Sequence, residues 1–354
     1  IEMETVKTKT YKPFYWLTEE SQIFLSRGYL QEGEDAKNRI RAIANRAEEI
    51  LKIEGFSEKF YTYMSKGYYS LSTPVWTNFG TNRGFPISCF GSTPADNMAS
   101  ILSTASEVGM MSKYGGGTSG YFGHLRPRGA DITNNGQSSG AVHFVKLFEQ
   151  MTDTVSQGSS RRGRFAAYLP IDHPDIDEFL EIGVEGNDIQ DVNHAVTVTD
   201  AWMTEMIAGD QQKRKVWAKV LQRRVEMGYP YIFFTDTVNN NKPEWYKDDP
   251  ITHSNLCSEI ALPDNEKWSF VCNLSSMNAL HYDEWKDTDA VQTMIYFLDA
   301  VMSEFIEKLE AMRDSEDAEY RDAFHFMERA YNFATENRAL GLGVLGWHSL
   351  LQSK

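Results

Sequence analysis

N-L-C-S-E-I, Asn255 to Ile260, sets a thiol between an amide and a carboxylate, in a chain of 354 residues with three cysteines. In extended backbone, residues at i, i+2 and i+4 share a face, so Asn255, Cys257 and Glu259 are expected to project together. A thiol flanked by a hydrogen-bonding amide and a potential general base suits a reactive site. The same letters also describe a buried structural cysteine beside two surface polar groups, because cysteine is often buried and inert. Spacing alone leaves both readings open, and how the rest of the chain is read turns on which holds.

The other cysteines are Cys89, in F-P-I-S-C-F (85–90), and Cys272, in F-V-C-N-L-S-S-M-N (270–278). Both segments read as apolar strands. Two thiols held close can reduce a substrate by becoming a disulfide, but two unconnected core thiols account for the letters equally well. There is no CxxC and no zinc-ligand spacing, so no metal site is expected in this chain. Three scattered cysteines point to reduced thiols and a cytoplasmic location.

Lys plus Arg is 35 against 50 Asp plus Glu, a net charge of -15. That balance argues against a duplex nucleic-acid binder, which needs a basic face for phosphates. Small anionic ligands remain compatible, since they need only local basic groups and backbone N–H groups. The apolar fraction of 41% fits a globular protein. No apolar run is long enough to span a membrane, and the first ten residues, I-E-M-E-T-V-K-T-K-T, lack the apolar core of a signal peptide.

Residues 1–13 read as an arm. Ala36, Ile40, Ile43, Ala47, Ile50 and Leu51 follow helical spacing from Asp35. A second helix is expected over 57–67, with Ser57 as N-cap and Gly67 as stop. Y-Y-S-L-S-T-P-V-W (68–76) reads as extended chain and 85–90 as a short buried strand. Asp96 is expected to cap a helix carrying Ile101, Leu102, Ala105 and Val108 inward, ending at K-Y-G-G-G-T-S-G (113–120). Helices are expected over 141–156, from Pro174 onward, over 211–227, 289–310 and 317–337, and a further one capped by Thr199 or Asp200. Strands are expected at 193–199, 231–235 and 341–346. Alternating strands and helices mean an α/β fold with a mainly parallel sheet, after a helical N-terminal region.

G-G-G-T-S-G (115–120) matches G-x-G-x-x-G, but a helix precedes it and no acidic residue stands about twenty positions on, so the dinucleotide fingerprint is rejected. S-Q-G-S-S-R-R-G-R-F (156–165) packs Arg161, Arg162 and Arg164 among Gly and Ser. In an acidic chain that reversal suits a nucleotide phosphate, or equally a solvated loop.

Together these stretches resemble the large catalytic subunit of class I ribonucleotide reductase, in a cone-less subgroup of bacterial and phage type. The resemblance rests on N-L-C-S-E-I (255–260), S-L-S-T-P-V-W (71–76), I-S-C-F (87–90), S-Q-G-S-S-R-R-G (156–163), V-C-N-L-S-S-M-N (271–278) and R-A-L-G-L-G-V-L-G (338–346), in the family's order. It implies a helical region over 1–70, then part of a ten-stranded α/β barrel over 71–354, with a finger loop around 251–262. It implies reduction of ribonucleotides, as diphosphates, to 2′-deoxyribonucleotides. Cys257 matches the thiyl radical that removes the 3′ hydrogen, Glu259 the carboxylate that takes the 3′-hydroxyl proton, and Asn255 the amide at the reacting centre. Cys89 and Cys272 match the pair that supplies two electrons. Thr73, Ser88 and Gly117 match substrate-pocket positions, beside Asn255 and Glu259. Asp96, Arg126, Gln157 and Arg161 match contacts to an allosteric effector, ATP or a deoxynucleoside triphosphate.

The resemblance also implies partners. A small subunit with a di-metal centre supplies the radical, thioredoxin or glutaredoxin re-reduces the pair, and the chain forms a homodimer. The family's regulatory cone is expected to be missing, since the part that resembles the catalytic helical region begins within the first twenty residues. Further barrel strands, a tyrosine relay and a cysteine-bearing tail belong after Lys354, so the chain is expected to be inactive without them. Two alternatives stand beside this reading: a class that draws its radical from adenosylcobalamin, and a nucleotide-sensing relative that lost the chemistry.

Overall fold

The computed structural model describes residues 10–87, 89–156 and 163–354. Contacts divide the chain into two compact units. One comprises Ile1–Pro86, Asn273–Phe305 and Leu340–Lys354, the other Ile87–Cys272 and Ile306–Ala339. The described strands are β1 (Tyr69–Leu71), β2 (Cys89–Ser92), β3 (Gly117–Tyr121), β4 (Arg164–Pro170), β5 (Asn193–Val198), β6 (Tyr231–Phe234), β7 (Phe270–Asn278) and β8 (Leu340–Leu345).

In the larger unit, β2 to β6 pair in parallel in sequence order, and the first residues of β7 run antiparallel beside β2. Parallel neighbours need crossover connections, and helices Met98–Lys113, Ala141–Val155 and Gln211–Met227 lie within them. β4 shows how its sequence serves two faces. Phe165, Ala167 and Leu169 join Val108, Val142, Val145 and Phe148 of the helices. Ala166 and Tyr168 turn the other way and pack with Ala195, Phe233, Ile251 and Leu256. Burial on both faces explains why β4 is apolar from Phe165 to Pro170 rather than alternating. Ala166 and Ala195 leave room on the second face for the segment that carries Ile251 and Leu256.

Gly91 in β2 sits opposite Phe270 in β7, and a Cβ added there would lie 2.0 Å from that ring. Gly91→Ala is expected to cost about 2–3 kcal/mol through overpacking, read as a lower urea midpoint at unchanged slope. An unchanged midpoint would mean that the ring does not cover Gly91.

In the smaller unit, β1 lies antiparallel and β8 parallel to the later part of β7. Helix Ala36–Leu51 starts where the helical spacing begins, capped by Asp35, whose carboxylate accepts Asn38 N–H at 2.8 Å. Its buried Arg39 donates to the carbonyls of Trp76 (2.7 Å), Val75 (3.2 Å) and Phe79 (2.6 Å), satisfying the C-terminal end of helix Thr73–Asn78. Glu304 accepts Arg46 Nε and Gly80 N–H, each within 3 Å.

The α/β class and the part-barrel architecture match the sequence reading, while several element bounds move. Residues 73–78 form a helix rather than extended chain, with Pro74 in the first turn, where its missing N–H costs nothing. The helix expected from Ser57 begins at Phe56, because Ser57 spends its hydroxyl on Asn45. The strand expected over 85–90 is formed only from Cys89 onward. Asn97, not Asp96, caps Met98–Lys113, and Leu102 on that helix is half exposed rather than inward. The helix expected over 317–337 is two, Ala318–His325 and Glu328–Asn337. No helix among the described residues is long and apolar enough to cross a membrane.

Candidate active site

Asn255 to Ile260 is not extended. Ser258 N–H returns to the Asn255 carbonyl at 3.2 Å, and Ser258 takes a left-handed φ of 69°. The cause is the Asn255 side chain, whose Oδ1 accepts Glu259 N–H (3.0 Å) and Ile260 N–H (3.1 Å). An asparagine that binds backbone ahead of itself offers the chain an alternative to a strand ladder. Ser254 Oγ reinforces the turn by accepting Ile260 N–H at 3.1 Å. The shared face expected for Asn255, Cys257 and Glu259 is therefore replaced by a split. Asn255 is 1% exposed, while Cys257 and Glu259 stand out at the turn.

The loop is held from beneath by groups distant in sequence. Tyr168 Oη donates to the Asn255 carbonyl at 2.6 Å, and Ser119 Oγ to the Ser254 carbonyl at 2.8 Å. Asn239 brackets Ile251 with two hydrogen bonds of 2.9 Å. The Cys257 sulfur lies within electrostatic reach of the Tyr168 and Tyr231 hydroxyls.

Cys89 and Cys272 are direct register partners across β2 and β7. Opposed residues of an antiparallel pair have Cα atoms about 4.5–5.5 Å apart, inside the span a disulfide bridges. Asn255 Nδ2 points at Cys89 Sγ, 3.7 Å away. Burial pushes the Cys272 thiol well up, and the Cys89 sulfur and the Glu259 carboxylate add to the rise. Cys272 is therefore held as a protonated thiol. The loop thus gathers Asn255, Cys89, Cys272 and the Glu259 charge, with Cys257 on its tip.

Gly117 opens β3 as the register partner of Cys89. Thr73 lies in the other unit, at the start of helix Thr73–Asn78, with its hydroxyl 3.1 Å from Tyr29 Oη. Asp96 and Arg126 are brought together, Oδ2 to Nε at 2.9 Å, and Arg126 also reaches the Asp131 carbonyl at 3.0 Å. Ser88, Gln157 and Arg161 lie outside the described residues. Among the described residues, no group of three or more His, Cys, Asp or Glu is placed to hold a metal ion.

Sequence reasoning missed Tyr168, Ser119, Ser254 and His253. Only Ser254 had a local signal, its place beside Asn255. His253 is fully buried against Tyr121, Tyr168 and Phe270, with Nε2 lacking a partner. Burial, then His124, lowers it to about 3. A histidine kept neutral by the fold is protonated on unfolding below its ordinary value near 6.5. Its stabilisation is complete above that pH and is lost as pH falls toward 3, on the order of 5 kcal/mol in all. The pH dependence of the urea midpoint between 7 and 4 is expected to shrink in His253→Phe. An identical dependence in both proteins would place His253 in contact with water.

The family model "Ribonucleotide reductase, barrel domain" matches residues 87–213 and 208–354. A putative ribonucleoside-diphosphate reductase large subunit of Frog virus 3 is 31% identical over 317 residues, covering 84% of this chain and 53% of that protein. A vitamin B12-dependent ribonucleoside-diphosphate reductase of Thermoplasma acidophilum is 28% identical over 323 residues, covering 84% of this chain and 39% of that protein. The solved class Id ribonucleotide reductase alpha subunit of Actinobacillus ureae superposes with a TM-score of 0.87 at 53% identity, covering 97% of this chain and 62% of that one. The chain spans about half the length of the viral relatives it matches.

Proposed function

Because the chain belongs to the ribonucleotide reductase barrel family, we propose that it forms the thiol-bearing part of a catalytic large subunit that reduces ribonucleoside diphosphates to 2′-deoxyribonucleotides. The observation that carries this reading is Cys89 opposite Cys272 on paired strands, with Asn255 on Cys89 and Cys257 at the tip of the same loop.

The residues divide the chemistry as follows. A thiyl radical on Cys257 takes the 3′ hydrogen of the ribose, leaving S–H on the protein and a carbon radical on the sugar. Glu259 takes the 3′-hydroxyl proton, which helps the 2′-hydroxyl leave as water. Cys89 and Cys272 give up two electrons and two protons as an S–S bond forms, and the S–H of Cys257 returns its hydrogen to C3′. The net change is one ribonucleotide and two thiols to one deoxyribonucleotide, one disulfide and one water. Asn255, pinned by two backbone N–H groups, keeps its amide nitrogen on Cys89. Burial of that pair and an apolar floor of Leu256, Ile251 and Phe233 suit radical chemistry, which side reactions with solvent would quench.

Thr73, Ser88 and Gly117 are proposed to line the substrate pocket, and Asp96, Arg126, Gln157 and Arg161 to meet ATP or a deoxynucleoside triphosphate effector. An effector phosphate would compete with Asp96 for Arg126. The division into a helical region over 1–70 and barrel over 71–354 is proposed on the same grounds. So are homodimerisation, a cytoplasmic location, and re-reduction of the pair by thioredoxin or glutaredoxin.

The radical is proposed to come from a di-metal small subunit, which the 53% identity to a class Id alpha subunit favours. Adenosylcobalamin is the second reading, favoured by the B12-dependent relatives. The test is reduction of a nucleoside diphosphate by a subunit containing this chain, with a metal-loaded small subunit against adenosylcobalamin. Product with neither would overturn both readings.

A further inference from the structure

Asp264 is 8% exposed and takes no part in the chemistry above. Its Oδ2 accepts Thr93 Oγ1 at 2.6 Å. Its Oδ1 lies 3.5 Å from Thr252 Oγ1, longer than an ordinary O–H···O bond, and that hydroxyl has His253 Nδ1 nearer, at 2.9 Å. Thr252 and Asp264 are the two ends of the loop that carries Asn255, Cys257 and Glu259. Thr93 directly follows β2, the strand that carries Cys89. The Thr93 bond therefore ties the far end of the loop to the strand that its Asn255 must reach.

From these contacts we infer that Asp264 is a positioning residue, a clasp that holds the Cys257 loop in register with Cys89. The alternative is a carboxylate that merely fills space, and its surroundings speak against that. Burial drives Asp264 up to about 7, and its charged neighbours oppose one another, Arg329 stabilising its charge and Glu107 disfavouring it. Arg329 is committed elsewhere, to Glu107 at 3.7 Å and to the Asn265 carbonyl at 2.8 Å. A buried acid held by hydroxyls is a poor way to gain stability, since apolar side chains of similar volume pack there at lower cost. What the carboxylate supplies instead is an oxygen that joins the loop's end to the segment following β2.

The clasp can be read without turnover. Glu259 and Ile260 N–H are protected by Asn255 and Ser254 inside the loop, so their hydrogen exchange reports the loop's closure. In the 354-residue chain, Asp264→Ala and Thr93→Val are each expected to speed exchange at 255–262 by about tenfold, the loss of one strong hydrogen bond. Exchange in β4 and β5 stays unchanged. Thr93→Ser, which keeps the hydroxyl, restores slow exchange. Should Asp264→Ala fail to fold, the half-buried Thr93 pair still decides. Unchanged exchange at 255–262 in Thr93→Val, equal acceleration in β4 and β5, or no rescue by serine would each overturn the inference. Its bearing on catalysis rests on the proposed role of Cys257, but exchange does not, so a failure of either leaves the other standing.

Discussion

Replacing Cys257 with serine, in a catalytic subunit that contains this chain, is expected to lower nucleotide reduction by about 10⁴-fold or more, as loss of a reacting group does. Serine matches the thiol in shape and can still donate a hydrogen bond, but its stronger O–H bond does not yield the radical that abstracts hydrogen from C3′. Cys257 projects from the turn and is exposed, so the fold has little stake in its identity. The urea midpoint should stay within the change of about 0.5 kcal/mol usual for surface substitutions. Nucleotide binding, measured separately by calorimetry, should hold as well. That combination, lost chemistry with retained fold and binding, separates a reacting group from a structural one. Activity within tenfold of the parent in Cys257→Ser would remove the residue from the mechanism.

The second large effect belongs to the opposed pair. Cys89→Ala or Cys272→Ala is expected to reduce multiple turnover by about 10³-fold or more, and the double variant to be no worse than either single, because the two act as one unit. The reason is stoichiometric. Each deoxyribonucleotide needs two electrons, and a single thiol on β2 or β7 cannot deliver them as a disulfide. Alanine is the cleaner substitution because Cys272 is 2% exposed. Serine there would bury a hydroxyl whose missing partner costs about 1–3 kcal/mol. Adding excess dithiol to the single variants separates the readings. If dithiol restores full turnover, small thiols reach the sugar and the pair is dispensable.

Much of the fold could be read from local patterns. Asp35 and Thr199 cap helices as their side chains suggest, and 193–198, 231–234 and 270–278 are strands. The α/β class followed from their alternation with helices. The loop geometry did not follow, for a physical reason. Whether Asn255 lies in a strand or folds back on its own amides depends on Tyr168 and Ser119, which hold the loop from 87 and 135 residues away. Periodicity has no access to such contacts. Asp96 and Asn97 illustrate the same limit, since either can cap a helix and the choice went to Asn97 while Asp96 pairs with Arg126. The juxtaposition of Cys89 and Cys272 is a matter of strand register, which pattern alone leaves open until the strand order is known.

The most direct measurement is a single turnover without external reductant, on the reduced subunit with its radical source, followed by rapid alkylation and peptide mass spectrometry. Deoxynucleotide should appear in step with a Cys89–Cys272 disulfide, one for one, with Cys257 still alkylated as a thiol. Product formed while the Cys89 and Cys272 peptides both remain alkylated, or a disulfide that instead contains Cys257, would contradict the account.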